Sequence, residues 1–261
     1  DQRMSRGLGD VYKRQGNAAN PQTLHVAVVN IEGCIAYTTL TIRVLPNPTP
    51  STDAEDIELC DYDNPGDQIE VFDITINEAY IINGELGVSA AYYESLENAT
   101  DEIDPIVNPT TYSNIELGQQ TIYVRVTNDT TGCFTIVTFD IIVNPLPDIG
   151  DVPDVIACEI NTDGFFDFDL EAVTAELLGS QDPANFTVTY YETQEDADNG
   201  ENALVSPYTN LTNPQQLFVN ITNNLTGCNI TGVGFNIEVQ EAAIANGDGV
   251  PAELIICDDP N

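Results

Sequence analysis

The segment TIYVRVTNDTTGCFTIVTFDIIV, residues 121–143, contains two alternating runs joined by a short polar turn. In the first run, Ile122, Val124 and Val126 alternate with polar or larger side chains, which is the two-residue period of a strand with one buried face. After the turn, residues 134–143 alternate in the same way. Two such strands around a short turn form a β-hairpin, so this segment predicts a β fold.

This hairpin pattern recurs along the chain. It appears earlier as TLHVAVVNIEGCIAYTTLTIRV, residues 23–44, and later as QLFVNITNNLTGCNITGVGFNIEV, residues 216–239. A second landmark has almost the same period, because Cys60 and Cys158 are 98 positions apart and Cys158 and Cys257 are 99 apart. Several landmarks that recur in register indicate tandem repeats.

The repeat period predicts the domain organisation. Residues 47–147 and 148–242 are predicted to be complete repeats, residues 16–46 the end of a truncated repeat, and residues 243–261 a linker with the start of another. The proline-rich joints Pro46-Asn47-Pro48 and Pro145-Leu146-Pro147 separate the units and are expected to act as semi-rigid spacers.

The predicted fold class is all-β, with tandem immunoglobulin-like β-sandwich repeats and a short helical insertion in each. Several short strands in roughly 100 residues are typical of that sandwich. The insertion is predicted at residues 170–178, where helical spacing ends at Gly179, with a weaker counterpart around residues 77–82. Paired tyrosines occur at Tyr92-Tyr93 and Tyr190-Tyr191, and strand alternation predicts that one of each pair faces outward.

The charge of the chain is strongly negative. The formal net charge is −37, and after residue 15 there is no lysine and the remaining cationic side chains are Arg43 and Arg125. Such a surface repels phosphate backbones and anionic lipids, so no nucleic-acid partner and no binding to membrane surfaces are expected. No apolar run approaches the ~20 residues of a membrane span, so no direct membrane insertion is expected. The basic start, DQRMSRGLGDVYKRQ, resembles translated sequencing-adapter read-through and is interpreted as a non-native segment, residues 1–15.

The cysteines fall into two positional classes. Cys34, Cys133 and Cys228 each follow a glycine in the hairpin turn, whereas Cys60, Cys158 and Cys257 each follow an apolar run. There is no Cys-x-x-Cys pair, and the lone His25 does not complete a zinc site with them. A disulfide framework outside the cytosol is therefore predicted.

Two connectivities fit these cysteines. The preferred prediction pairs them within repeats, as Cys60–Cys133 and Cys158–Cys228. The alternative pairs neighbours across the joints. Its bonds are Cys34–Cys60, Cys133–Cys158 and Cys228–Cys257.

An acidic turn after each leading cysteine is the candidate metal site. Oxygen-bearing residues at alternating positions followed by glycine resemble the opening of a calcium loop. The predicted calcium ligands are Asp61, Asp63 and Asp67 in one repeat, and Glu159, Asn161 and Asp163 in the next. The closing glutamate of an EF-hand is missing, since the twelfth position counted from Glu159 is Leu170. A solvated acidic turn is therefore the alternative.

The sequence predicts no enzyme and no catalytic residue. A nucleophilic triad requires a base, and the single histidine, His25, occupies an ordinary strand position that corresponds to Tyr123 and Phe218 in the later hairpins. Carboxylates are abundant, but the tandem copies place them differently, which argues against one precise acid–base site.

The layout as a whole resembles the Ig-like repeats of large Bacteroidota surface proteins, over about residues 16–261. The motifs that carry the resemblance are Tyr190-Tyr191-Glu192, Tyr208-Thr209-Asn210, Asn213-Pro214-Gln215 and Thr226-Gly227-Cys228. The resemblance implies an extracellular stalk repeat of an adhesin-like protein exported by type IX secretion. The expected partners are neighbouring repeats and an unknown extracellular protein or glycan. The alternatives are a glycan- or protein-binding module and, more remotely, accessory domains of a secreted hydrolase.

Overall fold

The computed structural model describes residues 20–150, 152, 154–160 and 163–243. The interpretation of residues 1–15 and the predictions for Asn161 and Cys257 lie outside these ranges. No helix in the described part of the chain has the length and apolar character needed to cross a membrane.

The chain divides into two compact units that do not coincide with the sequence repeats. Unit 1 comprises Asp1–Asp56, Phe72–Tyr112 and Thr121–Asp140, and unit 2 comprises Ile57–Val71, Ser113–Gln120 and Ile141–Asn261. The leading cysteine of the first repeat and the loop that follows it therefore belong to the same unit as the second repeat.

The first described element is an antiparallel hairpin of β1 (Gln22–Val29) and β2 (Ile35–Ile42). Its register runs from Gln22 opposite Ile42 to Val29 opposite Ile35. This is the hairpin predicted for residues 23–44.

The first repeat contains a four-stranded sheet, a two-stranded sheet and two short α-helices. Its elements are β3 (Ile57–Cys60), β4 (Val71–Phe72), α1 (Glu78–Ile82), β5 (Val88–Tyr93), α2 (Leu96–Asp101), a 3-10 turn (Pro109–Thr111), β6 (Tyr112–Ser113), β7 (Gln119–Asn128) and β8 (Phe134–Asn144). The larger sheet has the order β3-β8-β7-β5, with β3 parallel to β8 and β5 antiparallel to β7. β4 and β6 form the smaller sheet.

The second repeat has the same topology. Its elements are β9 (Val155–Glu159), β10 (Asp167–Phe168), α3 (Glu171–Leu178), a 3-10 turn (Pro183–Asn185), β11 (Phe186–Tyr191), α4 (Gln194–Asn199), β12 (Tyr208–Thr209), β13 (Gln215–Asn223) and β14 (Asn229–Glu241). The sheet order is β11-β13-β14-β9, with β9 parallel to β14, and β10 pairs with β12. The predicted all-β tandem fold is confirmed.

The core of the second repeat lies on one face of its larger sheet. Alternate residues of β13, namely Leu217, Val219 and Ile221, are fully buried and pack with Phe235 and Ile237 of β14. Burial of one such side chain stabilises the fold by about 1.5–3 kcal/mol. The two-residue period recognised in the sequence therefore marks the core face of the sheet.

The predicted helical insertion is confirmed in both repeats, as α3 and the shorter α1. α3 begins after Leu170 and ends at Gly179, whose φ is 54°. Such a backbone conformation favours glycine because it has no Cβ. A second short helix, α2 or α4, follows the paired tyrosines in each repeat and was not predicted.

The prediction that one tyrosine of each pair faces solvent is wrong. Tyr92, Tyr93, Tyr190 and Tyr191 are all buried. The side chains do alternate between the two faces of the strand, but α2 packs on β5 and α4 packs on β11. Each short helix buries an alanine, Ala99 or Ala197, and covers the face that strand alternation alone leaves open.

Candidate functional site

A disulfide bond joins the two repeats. It links Cys60, the last residue of β3, to Cys228 in the turn between β13 and β14, with an S–S distance of 2.07 Å and a Cα–Cα distance of 5.6 Å. Both cysteines belong to unit 2. Cys34, Cys133 and Cys158 are free thiols.

The predicted intra-repeat pairs, Cys60–Cys133 and Cys158–Cys228, are therefore wrong, and the alternative pairing of neighbours is wrong as well. Strand geometry explains the first error. Cys60 is paired with Asn144 at the end of β8, whereas Cys133 immediately precedes Phe134 at its start. An 11-residue strand rises by about 3.3 Å per residue, which separates the two positions by roughly 30 Å. A disulfide requires Cα atoms within about 7 Å.

The turn that presents Cys228 is built by its own sequence. The Asn223 side-chain oxygen accepts hydrogen bonds from the backbone N–H groups of Leu225, at 2.9 Å, and Thr226, at 3.4 Å. The Thr226 hydroxyl accepts one from the N–H of Cys228, at 3.3 Å. Gly227 adopts a φ of 75°, which a residue with a Cβ rarely adopts. These local bonds hold the cysteine at the tip of the hairpin.

The same turn presents Cys133 in the first repeat. The Asn128 side-chain oxygen accepts hydrogen bonds from the N–H groups of Thr130 and Thr131, at 3.1 and 3.0 Å. The Thr131 hydroxyl accepts one from the N–H of Cys133, at 3.2 Å, and Gly132 has a φ of 71°. The turn therefore forms whether or not its cysteine is bonded.

Polar contacts flank the disulfide inside unit 2. The Tyr62 hydroxyl donates a hydrogen bond to the side-chain oxygen of Asn229, at 2.6 Å. The Sγ atom of Cys228 lies 4.0 Å from the backbone oxygen of Asn144. Cys228 itself is fully buried. The bond is therefore shielded from reductants on the Cys228 side.

The acidic loop after Cys60 is organised by two buried carboxylates. Asp61 Oδ2 accepts hydrogen bonds from the backbone N–H groups of Gly66, at 2.7 Å, and Gln68, at 3.3 Å. Glu70 Oε1 accepts from the N–H groups of Tyr62 and Asp63, at 2.7 and 3.0 Å. Four backbone donors of one loop are thus satisfied by two side chains of the same loop.

The other two predicted ligands of this loop, Asp63 and Asp67, differ from Asp61 in exposure and in hydrogen bonding. Asp63 is exposed. Asp67 accepts hydrogen bonds from the N–H of Ile69 and the side-chain amide of Asn64, at 2.9 and 2.7 Å. In the part of the chain that the structure describes, no three His, Cys, Asp or Glu side chains gather in a group that could hold a metal ion. Asp61, Asp63 and Asp67 are therefore not brought together as one three-carboxylate site.

The loop of the second repeat uses the same plan with two fewer residues. Glu159 Oε1 accepts a hydrogen bond from the N–H of Gly164, at 2.6 Å, and Asp163 Oδ1 accepts one from the N–H of Phe165, at 3.0 Å. Gln68 and Gly164 hold the same place in their loops, and both have positive φ, 56° and 79°.

One asparagine in each repeat, which was not among the predicted site residues, connects this loop to the end of β6 or β12 by hydrogen bonds. Asn114 accepts a hydrogen bond from the N–H of Glu70 and donates one to the carbonyl of Gln68, at 2.8 and 2.9 Å. Asn210 makes the equivalent bonds in the second repeat, at 2.8 and 2.9 Å. Both are the third residue of the recurring Tyr-Ser-Asn or Tyr-Thr-Asn motif. The recurrence of this motif is the sequence feature that could have indicated a structural role for the asparagine.

Comparison with known proteins places these features in a family. The model of the family described as "Flavobacterium inter-domain disulphide bond domain" matches residues 56–147 and again residues 154–243. No curated protein matches the chain.

Several solved structures are distantly similar. Drosophila N-cadherin EC1-4 is 13% identical at a TM-score of 0.26, over 86% of this chain and 59% of that one. The zebrafish RET cadherin-like domains 1 to 4 are 10% identical at 0.21, over 87% and 60%. A fucoidan hydrolase of glycoside hydrolase family 107 is 10% identical at 0.19, over 87% and 35%. This chain spans less than two thirds of each, and the similarity carries no functional argument.

Proposed function

The chain belongs to the Flavobacterium inter-domain disulphide bond domain family, and we propose that its repeats are structural segments of an extracellular stalk. In this proposal each repeat is covalently tied to the next, so that mechanical load passes through the disulfide and not through the packing of each repeat alone. The observation that carries the proposal is the Cys60–Cys228 bond between consecutive repeats.

The free thiols of Cys158 and Cys133 are proposed to form the same kind of bond with further repeats. Cys158 has the same place in the second repeat that Cys60 has in the first, at the end of the strand that pairs in parallel with the last strand. It is exposed, and exposed apolar side chains, Ile160 and Phe165, lie close to it in sequence. Cys158 is proposed to bond the Thr-Gly-Cys turn of another repeat, and Cys133 the leading cysteine of a further one.

The chemistry of the site supports an extracellular location. Disulfides of this kind persist in oxidising surroundings and are reduced in the cytosol. The high negative charge keeps repeats soluble and opposes their association with anionic surfaces. Export by type IX secretion, attachment to the cell surface and contact with an extracellular protein or glycan are the finer parts of this proposal. No catalytic role is assigned to the repeats.

Single-molecule force spectroscopy on the oxidised chain tests the structural role. When the chain is pulled from its ends, the intact bond keeps the residues between Cys60 and Cys228, a separation of 168, out of the extension. At about 3.6 Å per extended residue, this shortens the released contour length by roughly 600 Å.

Addition of a reductant, or the Cys228→Ser variant, is expected to restore that length, whereas Cys158→Ser leaves the short extension unchanged. The same full extension with and without reductant would contradict the proposed role of the bond under tension.

A further inference from the structure

Each acidic loop contains one buried carboxylate oxygen for which the described part of the chain supplies no hydrogen-bond partner. Asp61 is 1% exposed and Glu159 is 8% exposed. One oxygen of each accepts the backbone hydrogen bonds described above, while the other, Asp61 Oδ1 or Glu159 Oε2, is buried with no partner among the described residues. Because a buried carboxylate oxygen of this kind occurs at equivalent positions of the two repeats, we interpret it as a property of the repeat fold.

Such an oxygen is costly in a folded protein. A carboxylate loses its hydration on burial, and the loss must be offset by hydrogen bonds or by a positive charge. In the first repeat a second buried acid, Glu70, also accepts hydrogen bonds from the backbone of this loop, so one loop contains two buried carboxylates.

No cationic side chain offsets these charges within the described residues. An ion pair in the described part of the chain joins Arg125 to Glu102, and both of these residues belong to unit 1. The repeats contain no lysine, and the other arginine after residue 15 is Arg43, which precedes both repeats. A cation from solution is therefore the available counter-charge for an ionised Asp61.

We propose that the loop of residues 61–70 binds a hard divalent cation of the calcium type, with Asp61 Oδ1 as a direct ligand and Glu70 contributing negative charge. Backbone carbonyl oxygens and water complete the coordination, as hard cations accept oxygen ligands of all three kinds. In the second repeat Glu159 Oε2 is the ligand of a weaker site, because the position equivalent to Glu70 is Phe166, which carries no charge.

This ligand set differs from the one that the sequence pattern predicts. The pattern gave equal weight to Asp61, Asp63 and Asp67. The geometry selects Asp61 and replaces the other two with Glu70, because Asp63 is exposed and Asp67 is occupied by hydrogen bonds from Ile69 and Asn64. One or two carboxylates predict the weak binding of extracellular modules, with Kd of about 10⁻⁴–10⁻³ M.

Thermal unfolding of the oxidised full chain is the first test. Calcium chloride at about ten times Kd is expected to raise Tm by roughly 3–5 °C above the value in sodium chloride of equal ionic strength. Asp61→Asn keeps the shape of the side chain and an oxygen that accepts the Gly66 hydrogen bond, but removes the charge. It is expected to lose most of the calcium-specific rise, whereas Glu159→Gln loses a smaller part.

The matched control is Asp63→Asn, which removes one charge from the exposed part of the same loop. It is expected to keep the full calcium-specific rise. Terbium luminescence gives a second measurement that does not depend on stability, because Tyr62 lies in the loop and its ring can sensitise a bound Tb³⁺ ion. The signal is expected in the wild type and in Asp63→Asn, to be displaced by calcium, and to be lost in Asp61→Asn.

Three outcomes would overturn the proposal. One is an equal Tm rise in calcium chloride and in matched sodium chloride, which would mean screening alone. Another is an undiminished calcium effect in Asp61→Asn. The last is a terbium signal that is absent from the wild type. If Asp61→Asn fails to form the Cys60–Cys228 bond, Glu70→Gln replaces it, with the same expected loss of calcium response and of luminescence.

Discussion

Cys60 and Cys228 are bonded across 168 positions of the chain, and the loop after the first and the turn around the second belong to one compact unit. The Tyr62 hydroxyl adds a hydrogen bond to Asn229 beside this bond. The start of the first repeat is therefore stabilised by the second repeat, and the proline-rich joint between them is not the boundary of the compact units.

Removal of the disulfide is expected to lower the free energy of unfolding of unit 2. For a closed loop of this length, chain entropy gives about 5 kcal/mol at 25 °C, before any strain is subtracted. Cys60→Ser, Cys228→Ser and the double variant are expected to lose the same amount, since each breaks one bond. Urea unfolding under non-reducing conditions measures this loss. Cys158→Ser, which removes a free thiol, serves as the control, and an equal loss in that variant would contradict the assignment.

Replacement of Gln68 by glycine is expected to stabilise the chain slightly. Gln68 has a φ of 56° in the loop position where the second repeat has Gly164, and a left-handed conformation costs a residue with a Cβ about 1–2 kcal/mol. The greater freedom of glycine in the unfolded chain offsets part of this gain, so the net gain is about 0.5 kcal/mol. The reciprocal variant, Gly164→Ala, is expected to lose about 1 kcal/mol in chemical unfolding. A gain in Gly164→Ala would refute the conformational explanation.

Arg125 and Asn220 are equivalent buried polar residues on the central strands β7 and β13. The Arg125 guanidinium donates hydrogen bonds to the carbonyl oxygens of Ala99 and Thr100, at 2.8 and 3.0 Å, and lies 3.4 Å from the ring centre of Phe134. The Asn220 amide donates one bond, at 3.1 Å, to the carbonyl of Ala197. Both side chains therefore fasten the short outer helix to the sheet.

Arg125→Ala is expected to lower the free energy of unfolding by about 3 kcal/mol, because it removes charged hydrogen bonds and a cation–π contact and leaves the buried Ala99 carbonyl without its donor. For Arg125→Asn the expected decrease in the free energy of unfolding is about half as large, because at the equivalent position of the second repeat the Asn220 amide bonds the helix carbonyl of Ala197. Arg43→Ala, at the exposed arginine, is the control and is expected to change stability by less than about 0.5 kcal/mol. Equal losses in Arg125→Ala and Arg125→Asn would contradict the proposed fastening role.

Alkaline pH is expected to destabilise the second repeat through Tyr190. Burial raises the pKa of its phenol to about 12, and the nearby Glu171 and Asp169 carboxylates add to this rise. The pKa of the unfolded tyrosine is about 10, so the stabilisation is complete below pH 10 and is lost as the pH approaches 12. About 2 kcal/mol is expected to be lost by pH 11.5.

Urea unfolding at pH 8 and pH 11.5 measures this loss. Tyr190→Phe keeps the ring but cannot ionise, so it is expected to show a smaller decrease between the two pH values, although it loses the hydrogen bond to Thr174. A decrease as large as that of the wild type would exclude Tyr190 as the source.

The residues around the site could be predicted only in part. The acidic turn after each leading cysteine was recognised, and Asp61 and Glu159 are its buried carboxylates. Glu70 and Asn114 were not, because each meets the loop only when β4 and β6 pair and bring their two chain segments together. A pattern within one loop does not contain that pairing.

The burial of both tyrosines in each pair could not be predicted from the sequence pattern either. Alternation along β5 correctly assigns Tyr92 and Tyr93 to opposite faces, but it does not say what covers each face. The helix α2 covers the second face, and its six residues are too few for a helical period to be recognised. Short elements of this kind take their stability from packing and less from their own sequence.

The repeats, the hairpins and the turns that present Cys133 and Cys228 can be inferred from the amino-acid sequence. These features rest on interactions between residues close in the chain, namely side-chain alternation, an asparagine that bonds its own turn, and a glycine with positive φ. The partner of Cys60 depends instead on contacts between segments that are far apart in the chain. Strands β7 and β8 carry the turn of its own repeat far from β3, and the folding of residues 57–71 into the unit of the second repeat brings Cys228 within bonding distance.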